Sequence, residues 1–477
     1  MKKNLFLVAA VLTAGMSFQA MAEANNEKPE EKSVKQEDSA GKPQLIISGE
    51  AQVHPNFGKP HNTYYGKAVT KDKAEPEKID YSKSDKDSTM TRIVAGEADI
   101  DFKAVGKLDN GVKYMAEIDL DAMKDDTGVD KMYISFSRDN LGTLHIGNVK
   151  GPDAKCIYSG QQLLGGTTGM DGTIPHSFDY ATGVIAPVYM IGYSSKATKI
   201  SYYSPRFYGF QLSASVTPDT KHHGHTDKNW HAGSASNGND NGMFLTKDRG
   251  DEKPSGRNNI AFALTHVYEF QNGVRTKLSG IYVFEDTKNV DVTSYERTEA
   301  NHDGDKIEAK AKLRNVNSYQ LSATVGYKKW DFGIGFIDNG RSRTLRSLKS
   351  MTTGKTDEQA MANIGNFLGS TKANAGKAWN IGARYQVNDQ LTLSGVFHHT
   401  KRKVDTNAYT RGNMLTLAAD YKIVDGLVLF AEIDYIKTKS CEEACKRYNM
   451  IFNSDKKRNA IMKQHGELFV IGAKVCF

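Results

Sequence analysis

Long apolar runs are scarce in this chain of 477 residues. Beyond its opening segment no stretch approaches ~18 uninterrupted apolar residues, which excludes a helical membrane protein. Cysteine is also scarce: Cys156, Cys441, Cys445 and Cys476 are the whole set. Cys441 and Cys445 fall close together in an expected surface loop, where an exported chain can oxidise them to a local disulfide. Two thiols without further ligands at suitable spacing do not make a metal site. Neither charge sign is in large excess. The 63 basic and 56 acidic residues leave a formal charge of +7, with no clustered basic stripe of the kind a nucleic-acid-binding domain needs. No nucleophile elbow, P-loop or dinucleotide fingerprint is present. Asp99/Asp101 and Asp119/Asp121 are paired carboxylates, but spacing of two along one strand face does not build a catalytic acid and base. No enzyme activity, cofactor or metal is expected.

What is present suits strands: 43 glycines, 22 tyrosines and 20 phenylalanines against 11 prolines. Mean hydropathy is −0.54, which by itself suggests a soluble protein. A β-barrel escapes that inference, because only alternate strand residues face lipid and long loops add polar mass. The two ends agree with an exported barrel. Lys2 and Lys3 precede an apolar core from Leu5 to Met16, followed by Ala20-Met21-Ala22. This order reads as a secretory signal peptide over 1–22, its apolar core being short for a membrane anchor. Residues 23–44 are charged and poor in apolar side chains, the composition of a disordered periplasmic tail. At the far end Phe469, Ile471, Ala473, Val475 and Phe477 alternate with a mixed face, a period-two strand finishing on an aromatic residue.

Between these ends lies a repeating unit of strand, short turn, strand and long polar loop. Sixteen strands are expected, near 45–53, 89–106, 112–121, 129–137, 143–148, 196–204, 210–217, 259–270, 274–285, 315–328, 331–338, 377–387, 391–400, 412–423, 427–437 and 466–477. Seven short turns join them, among them the Asn-Gly turn at 108–111. The long connections, including 54–88, 149–195, 218–257, 286–314, 340–376 and 438–465, would be out of place in a compact soluble domain. On one rim of a barrel they are ordinary. The strand from 112 puts Tyr114, Ala116, Ile118 and Leu120 on one face and Lys113, Glu117, Asp119 and Asp121 on the other. Four carboxylates on one face (Asp99, Asp101, Glu117 and Asp119 across two strands) must reach water, so that face lines a wet lumen. An even antiparallel count lets the sheet close with both ends on one side. The fold class is therefore all-β, a transmembrane antiparallel barrel over 45–477. Aromatic residues near strand ends (Tyr202, Tyr203, Phe207, Tyr208, Phe210, Tyr268, Phe270, Tyr327, Trp330, Phe332 and Tyr421) suit an interfacial girdle.

With these features the chain resembles a Gram-negative general diffusion porin over roughly 45–477. The likeness rests on the signal peptide, the alternating strands, the asymmetry of turns and loops, the terminal Phe477 and a long third loop. It implies an outer-membrane homotrimer in contact with lipid and lipopolysaccharide, each protomer a water-filled pore for small hydrophilic solutes and ions. It also implies a third loop folded inward, which falls on 149–195. By the same resemblance, acids of that loop (Asp153, Asp171 and Asp179) face basic wall residues across the constriction, for which Lys113, Lys131, Arg275, Lys277 and Arg384 have the right parity. Opposed charges of this kind set ion preference. The enterobacterial Pro-Glu-Phe-Gly-Gly stretch is missing, and Lys150 and Lys155 dilute the loop's acidity.

Other readings stay open: a substrate-specific channel, a surface adhesin with a plugged lumen, or an outer-membrane lipase or protease built on a barrel. His222, His223, His225 and His231 lie in one loop but lack rigid spacing and carboxylate support for a metal. The basic stretch at 341–349 is either a solvated loop or a contact for lipopolysaccharide or a neighbouring cell. Because the terminal strand acts as an assembly signal in the family resembled, deleting Phe477 is expected to lower the amount of assembled barrel in the outer membrane. Comparing heat-modifiable gel mobility of membrane fractions tests this, and normal yields would refute that role for Phe477.

Overall fold

The computed structural model describes residues 43–69, 79–121, 128–172, 174, 181, 184–185, 187–220, 256–287, 290–298, 301–350, 372–442, 444–445 and 460–477. The signal segment, the tail before residue 43, Asp179 and the histidine-rich stretch lie outside these residues.

The alternating sequence closes into a barrel. Its first stave is made of β1 (Gln44–Gly58) continued by β2 (His61–Val69), and its second of β3 (Ile79–Asp87) continued by β4 (Met90–Lys107). β5 (Lys113–Asp121), β6 (Gly128–Arg138), β7 (Gly142–Asn148), β8 (Thr198–Tyr203) and β9 (Phe210–Asp219) follow, then β10 (Gly256–Glu269) and β11 (Val274–Thr287). Two more segments, β12 (Val290–Thr298) and β13 (Asn301–Leu313), leave the barrel before β14 (Val316–Tyr327) and β15 (Trp330–Asp338) resume it. After β16 (Leu345–Ser350) come β17 (Lys377–Gln386), β18 (Leu391–Asp405), β19 (Ala408–Val424), β20 (Leu427–Lys439) and β21 (Ala460–Cys476). The 18 segments of the main sheet form a closed ring of 16 antiparallel staves. The ring is completed where β1 pairs with β21, from Glu50 opposite Cys476 to Gly58 opposite Leu468.

The expected parity holds on the outer wall. Ile47, Ile118, Ile134, Ile200, Leu264, Leu278, Leu321, Ile334, Ile381, Leu417, Ile433 and Ile471 are all exposed, as lipid-facing residues must be. Aromatic rings gather on this surface beside the short turns. Trp330 stacks on Tyr385 at 4.3 Å between ring centroids and on Phe332 at 5.6 Å, and Tyr268 meets Phe270 edge-on at 4.8 Å. A second set nearer the loops includes Tyr282, Tyr319, Trp379, Tyr409 and Tyr435. Two such belts at the ends of an apolar band match the two membrane–water interfaces.

The structure differs from the sequence-based expectation in three places. Segments expected as loop, 61–69 and 79–87, prolong the first two staves, with His61 opposite Asp87 and Asn62 opposite Gln464. Most of the connection expected at 401–411 is strand, so that Asp405 faces Ala408 across a tight hairpin. Within 286–314 and 340–376, β12, β13 and β16 form a separate three-stranded sheet. The physical reason is shared: above the lipid a strand has no greasy face, so the alternation that marks strands elsewhere is missing. Cys441 and Cys445 are not joined by a disulfide. Cys445 packs with Tyr65, Ala460 and Met462, while Cys441 lies against Val404, Ala408 and Ala444. Burial pushes the Cys445 thiol up to about 12, which keeps it protonated.

The closing seam has a steric requirement. Phe477 N–H donates to the Gly49 carbonyl (3.1 Å) and the Gly49 N–H to that of Phe477 (2.9 Å). The Phe477 ring lies over Gly49, so close that a Cβ there would sit 2.5 Å from the ring and 2.7 Å from the Asp99 carbonyl. Gly49→Val is therefore expected to lower stability by roughly 1–3 kcal/mol through overpacking. Denaturant unfolding of the detergent-folded barrel measures this, and an unchanged midpoint would show that the seam tolerates the side chain.

Candidate functional site: the lumen and its inward loop

The described residues between β7 and β8 turn into the barrel instead of rising from its rim. The loop opens with a single helical turn, α1 (Pro152–Lys155), and continues through a 3₁₀ turn at Gly160–Leu163. Ser159 and Gln162 cap that turn mutually: the Ser159 N–H and hydroxyl donate to Gln162 Oε1 at 3.0 and 2.7 Å, and Ser159 Oγ accepts the Gln161 N–H at 3.3 Å.

A chain crossing a lumen leaves backbone donors that need partners. Here the wall supplies them in sequence around the ring. Tyr158 N–H donates to Ser322 Oγ (2.9 Å), Gly165 N–H to Ser394 Oγ (2.9 Å), and Gly166 N–H to Asp420 Oδ1 (2.9 Å). Glu432 accepts both the Thr167 N–H (2.8 Å) and its hydroxyl (2.6 Å). Ala181 N–H then reaches Thr438 and Ile191 N–H reaches Asn339 (2.9 and 2.8 Å). Close approach needs small residues on both sides. Gly160 lies against the backbone of Gly333 and Gly382, where added Cβ atoms would come within 2.8 and 2.5 Å of it.

The loop also carries apolar side chains into the barrel. Met170, Ile174, Val184 and Val188 pack with Met414, Phe430, Ile436, Leu468, Val470 and Met90. On its other flank Cys156, Ile157 and Met190 pack against Ala261, Ala263, Ile281, Val283, Val316 and Ile337. The inner wall beside the loop is thus apolar in part, alongside the hydroxyls and carboxylates that take up the loop's amides. Burying this surface adds roughly 1.5–3 kcal/mol for each large side chain.

Across from these clusters, the inner faces of β4, β5 and β6 carry charge. Lys131 Nζ lies 2.5 Å from Asp119 and 3.9 Å from both Asp101 and Glu117, and Lys103 Nζ lies 3.8 Å from Glu117. The Tyr133 hydroxyl donates to Glu117 at 2.8 Å. The Lys103 and Lys131 side chains remain 28 and 26% exposed, and Asp101 22%. They point into the barrel, so the water they meet is inside it.

The expected site residues separate into groups. Lys131 belongs to this charged arc. Lys277 stands 5.9 Å over the Tyr158 ring of the inward loop. Arg275 and Arg384 both bind Asp331, at 3.2 and 2.8 Å, on the lumen face close to the short turns. Lys113 is exposed at the same end. Asp171 opens to the lumen and accepts the Tyr189 hydroxyl at 2.7 Å. The wall around it pushes its carboxyl above the usual carboxylate range, while the Tyr189 bond and Lys150 act in the opposite sense. Asp153 is misassigned by the sequence reading: it is 1% exposed, its Oδ2 accepting the Ser194 N–H (2.6 Å) and hydroxyl (2.8 Å). It braces the two ends of the loop and does not face the pore.

Asp420, Glu432 and Ser394, which hold the loop, were missed. Their signal is register. Glu432 stands between Ala418 and Val470, and Asp420 opposite Phe430, so neither acid has a cationic neighbour across the sheet and each must find donors elsewhere.

A Gram-negative porin family model matches residues 9–440. An uncharacterised protein of Rickettsia prowazekii (strain Madrid E) is 25% identical over 335 residues, 64% of this chain and 69% of that protein. Among solved structures, the in-vitro folded outer membrane protein OmpT of Vibrio cholerae is 11% identical with a TM-score of 0.50, covering 92% of this chain and 99% of that one. Its trimer form gives 10% identity, a TM-score of 0.50 and coverage of 92% and 100%. At these identities the two structures share the fold alone.

Glu432→Ala is expected to loosen the inward loop without opening the barrel. It removes two hydrogen bonds worth roughly 0.5–1.5 kcal/mol each. Hydrogen exchange at Gly166 and Thr167 should accelerate while exchange in β10 and β11 stays slow. Unchanged protection at 166–167 would show that the apolar clusters alone hold the loop.

Proposed function

This chain belongs to the Gram-negative porin family, and we propose that it is a water-filled channel through which small hydrophilic solutes and ions diffuse passively, with no chemical step. Its place is the outer membrane. The observation that carries the proposal is the exposure of Lys103, Lys131 and Asp101 on the inner face of a closed barrel. Charged groups so placed are stable only if hydrated, and a hydrated lumen is a path for ions.

The charged arc suggests the sign of selectivity. Asp99, Asp101, Glu117 and Asp119 outnumber Lys103 and Lys131 there, so cations are favoured. Asp171, open to the same lumen, adds to that field as the loop-side charge. The Arg275–Asp331–Arg384 group leaves a local net positive charge near the turn-side mouth. The loop-bearing rim faces away from the cell, and the chain assembles as a homotrimer. Support for the trimer is the family and the trimer form of the Vibrio cholerae OmpT structure.

The apolar packing of the inward loop favours one second reading, a barrel whose lumen is largely plugged and which acts through its surface loops. Conductance in a planar bilayer under a salt gradient separates the two. The channel reading expects stepwise, ohmic openings and a reversal potential on the cation-selective side. Asp101→Asn with Asp119→Asn leaves Lys131 with Glu117 as its remaining acidic neighbour, so the reversal potential should move toward anion preference. Asp171→Asn should move it the same way by less. Silence from demonstrably folded protein would overturn the channel, and unaltered reversal potentials would remove the selectivity assigned to these acids.

A further inference from the structure

Near the loop-side mouth the first two staves are interrupted at the same height. β1 ends at Gly58 and β2 begins at His61, while β3 ends at Asp87 and β4 begins at Met90. Pro60 accounts for the break, because it has no N–H to continue the ladder. Its carbonyl is used instead, accepting the Ser88 N–H at 3.1 Å and the Ser88 hydroxyl at 3.4 Å. The interruption hollows the inner wall into a recess of about 360 Å³, lined among others by Asn62, Tyr64, Lys86, Ser88, Met90 and Arg92. Asn62 stands opposite Lys86 and buried Asn56 opposite Arg92, while Phe57 and Ile93 point outward. Met90 packs with Ile174 and Val184 of the inward loop, which places the recess beside that loop, in the mouth of the lumen.

Two cations and no carboxylate line this recess. Lys86 and Arg92 are exposed, to the water of the mouth. Asp99 and Asp101 of the charged arc lie roughly 23 and 30 Å further along β4 at ~3.3 Å per residue, beyond the ~8 Å over which salt screens charge. Beside the cations stand carboxamides with hydrogen-bonding capacity to spare. Asn62 is 8% exposed, and its Nδ2 donates to the Tyr64 hydroxyl at 3.2 Å. Its Oδ1 has no hydrogen-bond partner among the described residues. Gln464 of β21 stands directly opposite Asn62 and is 1% exposed, with neither of its amide atoms hydrogen-bonded among the described residues. Buried polar groups are ordinarily paired, and an unmade bond there is costly. Cations beside unmet carboxamides in one concave site call for a ligand that carries both an anionic group and hydroxyls.

We propose that this recess binds a small anionic sugar, a free monosaccharide bearing a carboxylate or phosphate group. Arg92 and Lys86 hold the anionic group, the guanidinium through two parallel hydrogen bonds and the ammonium as a point charge. Asn62, with Gln464 behind it, takes the sugar hydroxyls, because a hydroxyl both donates and accepts as a carboxamide does. The Tyr64 ring offers an apolar face to the C–H groups of the sugar. A volume near the low end of small-molecule sites, which run from ~300 to ~1,000 Å³, suits one sugar ring. A simple inorganic anion would satisfy the cations and leave the carboxamides unmet. A neutral sugar would do the reverse. The inference goes beyond passive diffusion, and it needs a mouth open to water but not conduction.

The test titrates the full chain, folded in a zwitterionic detergent, with glucuronate, glucose 6-phosphate, glucose and acetate, and reads binding by isothermal titration calorimetry. The two anionic sugars should saturate one site, and comparing them identifies the preferred acid group. Glucose and acetate should bind roughly tenfold more weakly or less well still, each lacking one half of the recognition. Lys86→Gln with Arg92→Gln should remove the preference for the anionic sugars over glucose, whereas Lys86→Arg should retain it. Asn62→Ala should weaken the anionic sugars roughly tenfold and leave acetate unchanged. Heat-modifiable gel mobility shows that each variant is folded, and Lys86→Arg guards against a folding failure of the double variant. Acetate binding as tightly as the anionic sugars would overturn the proposal. So would their undiminished binding to the folded double variant, or the absence of saturable heat from both. Conductance of the unaltered chain is recorded separately, so that silence there with binding intact would remove the channel and support the sugar site.

Discussion

Every backbone N–H and C=O inside a bilayer must find its partner within the protein, because lipid offers none. That constraint is met here by one act of closure, the pairing of β1 with β21 from Glu50 to Gly58. Without it, two edges of a 16-stave sheet would face hydrocarbon with unpaired donors and acceptors. The small residue at Gly49, the ring of Phe477 above it and the ion pair of Lys474 with Glu50 inside the barrel all belong to this seam. Closure then fixes parity around the whole ring, and parity decides which side chains meet lipid and which meet the lumen.

The lumen is where the two faces of that logic conflict. A wide empty barrel would expose its inner wall to water all round. Instead the chain feeds its longest described inward connection into the space and satisfies it by two unlike means. Hydroxyls and carboxylates of β14, β18, β19 and β20 take up loop amides one after another. Apolar side chains of the loop fill against wall residues that are themselves apolar or small. Glu432 and Asp420 have partners for their carboxyl oxygens in the loop's N–H groups, so loop and wall are one structure. What is left wet is the arc on β4, β5 and β6, and the charge there is what a permeating ion would meet.

Much of this was legible in the residues. Period-two alternation marks every stave that crosses lipid, and the inner carboxylates Glu117 and Asp119 mark a charged inner face. The strands that were missed, 61–69, 79–87 and the small sheet, lie above the lipid, where neither face need be greasy. The apolar inner wall left a trace that could have been read: AFAL at 261–264 and IYVF at 281–284 do not alternate, which signals strands covered on both sides. Asp153 shows the limit of carrying a role across from a resemblance. Its position in the loop fits a constriction acid, but two short bonds from Ser194 turn it inward. The basic stretch at 341–349 could not be divided by eye, because only pairing with Glu285 distinguishes Arg343 from Arg346.

The account stands or falls on water inside the barrel. Its most direct measurement is the reactivity of single cysteines toward a charged, membrane-impermeant thiol reagent, in reconstituted protein whose four native cysteines are replaced by alanine. One variant carries the cysteine at Lys131, on the inner face, and another at Ile134, on the outer face of the same strand. The account predicts fast labelling at 131 and none at 134. Equal protection of both positions would mean a dry lumen, and would contradict it.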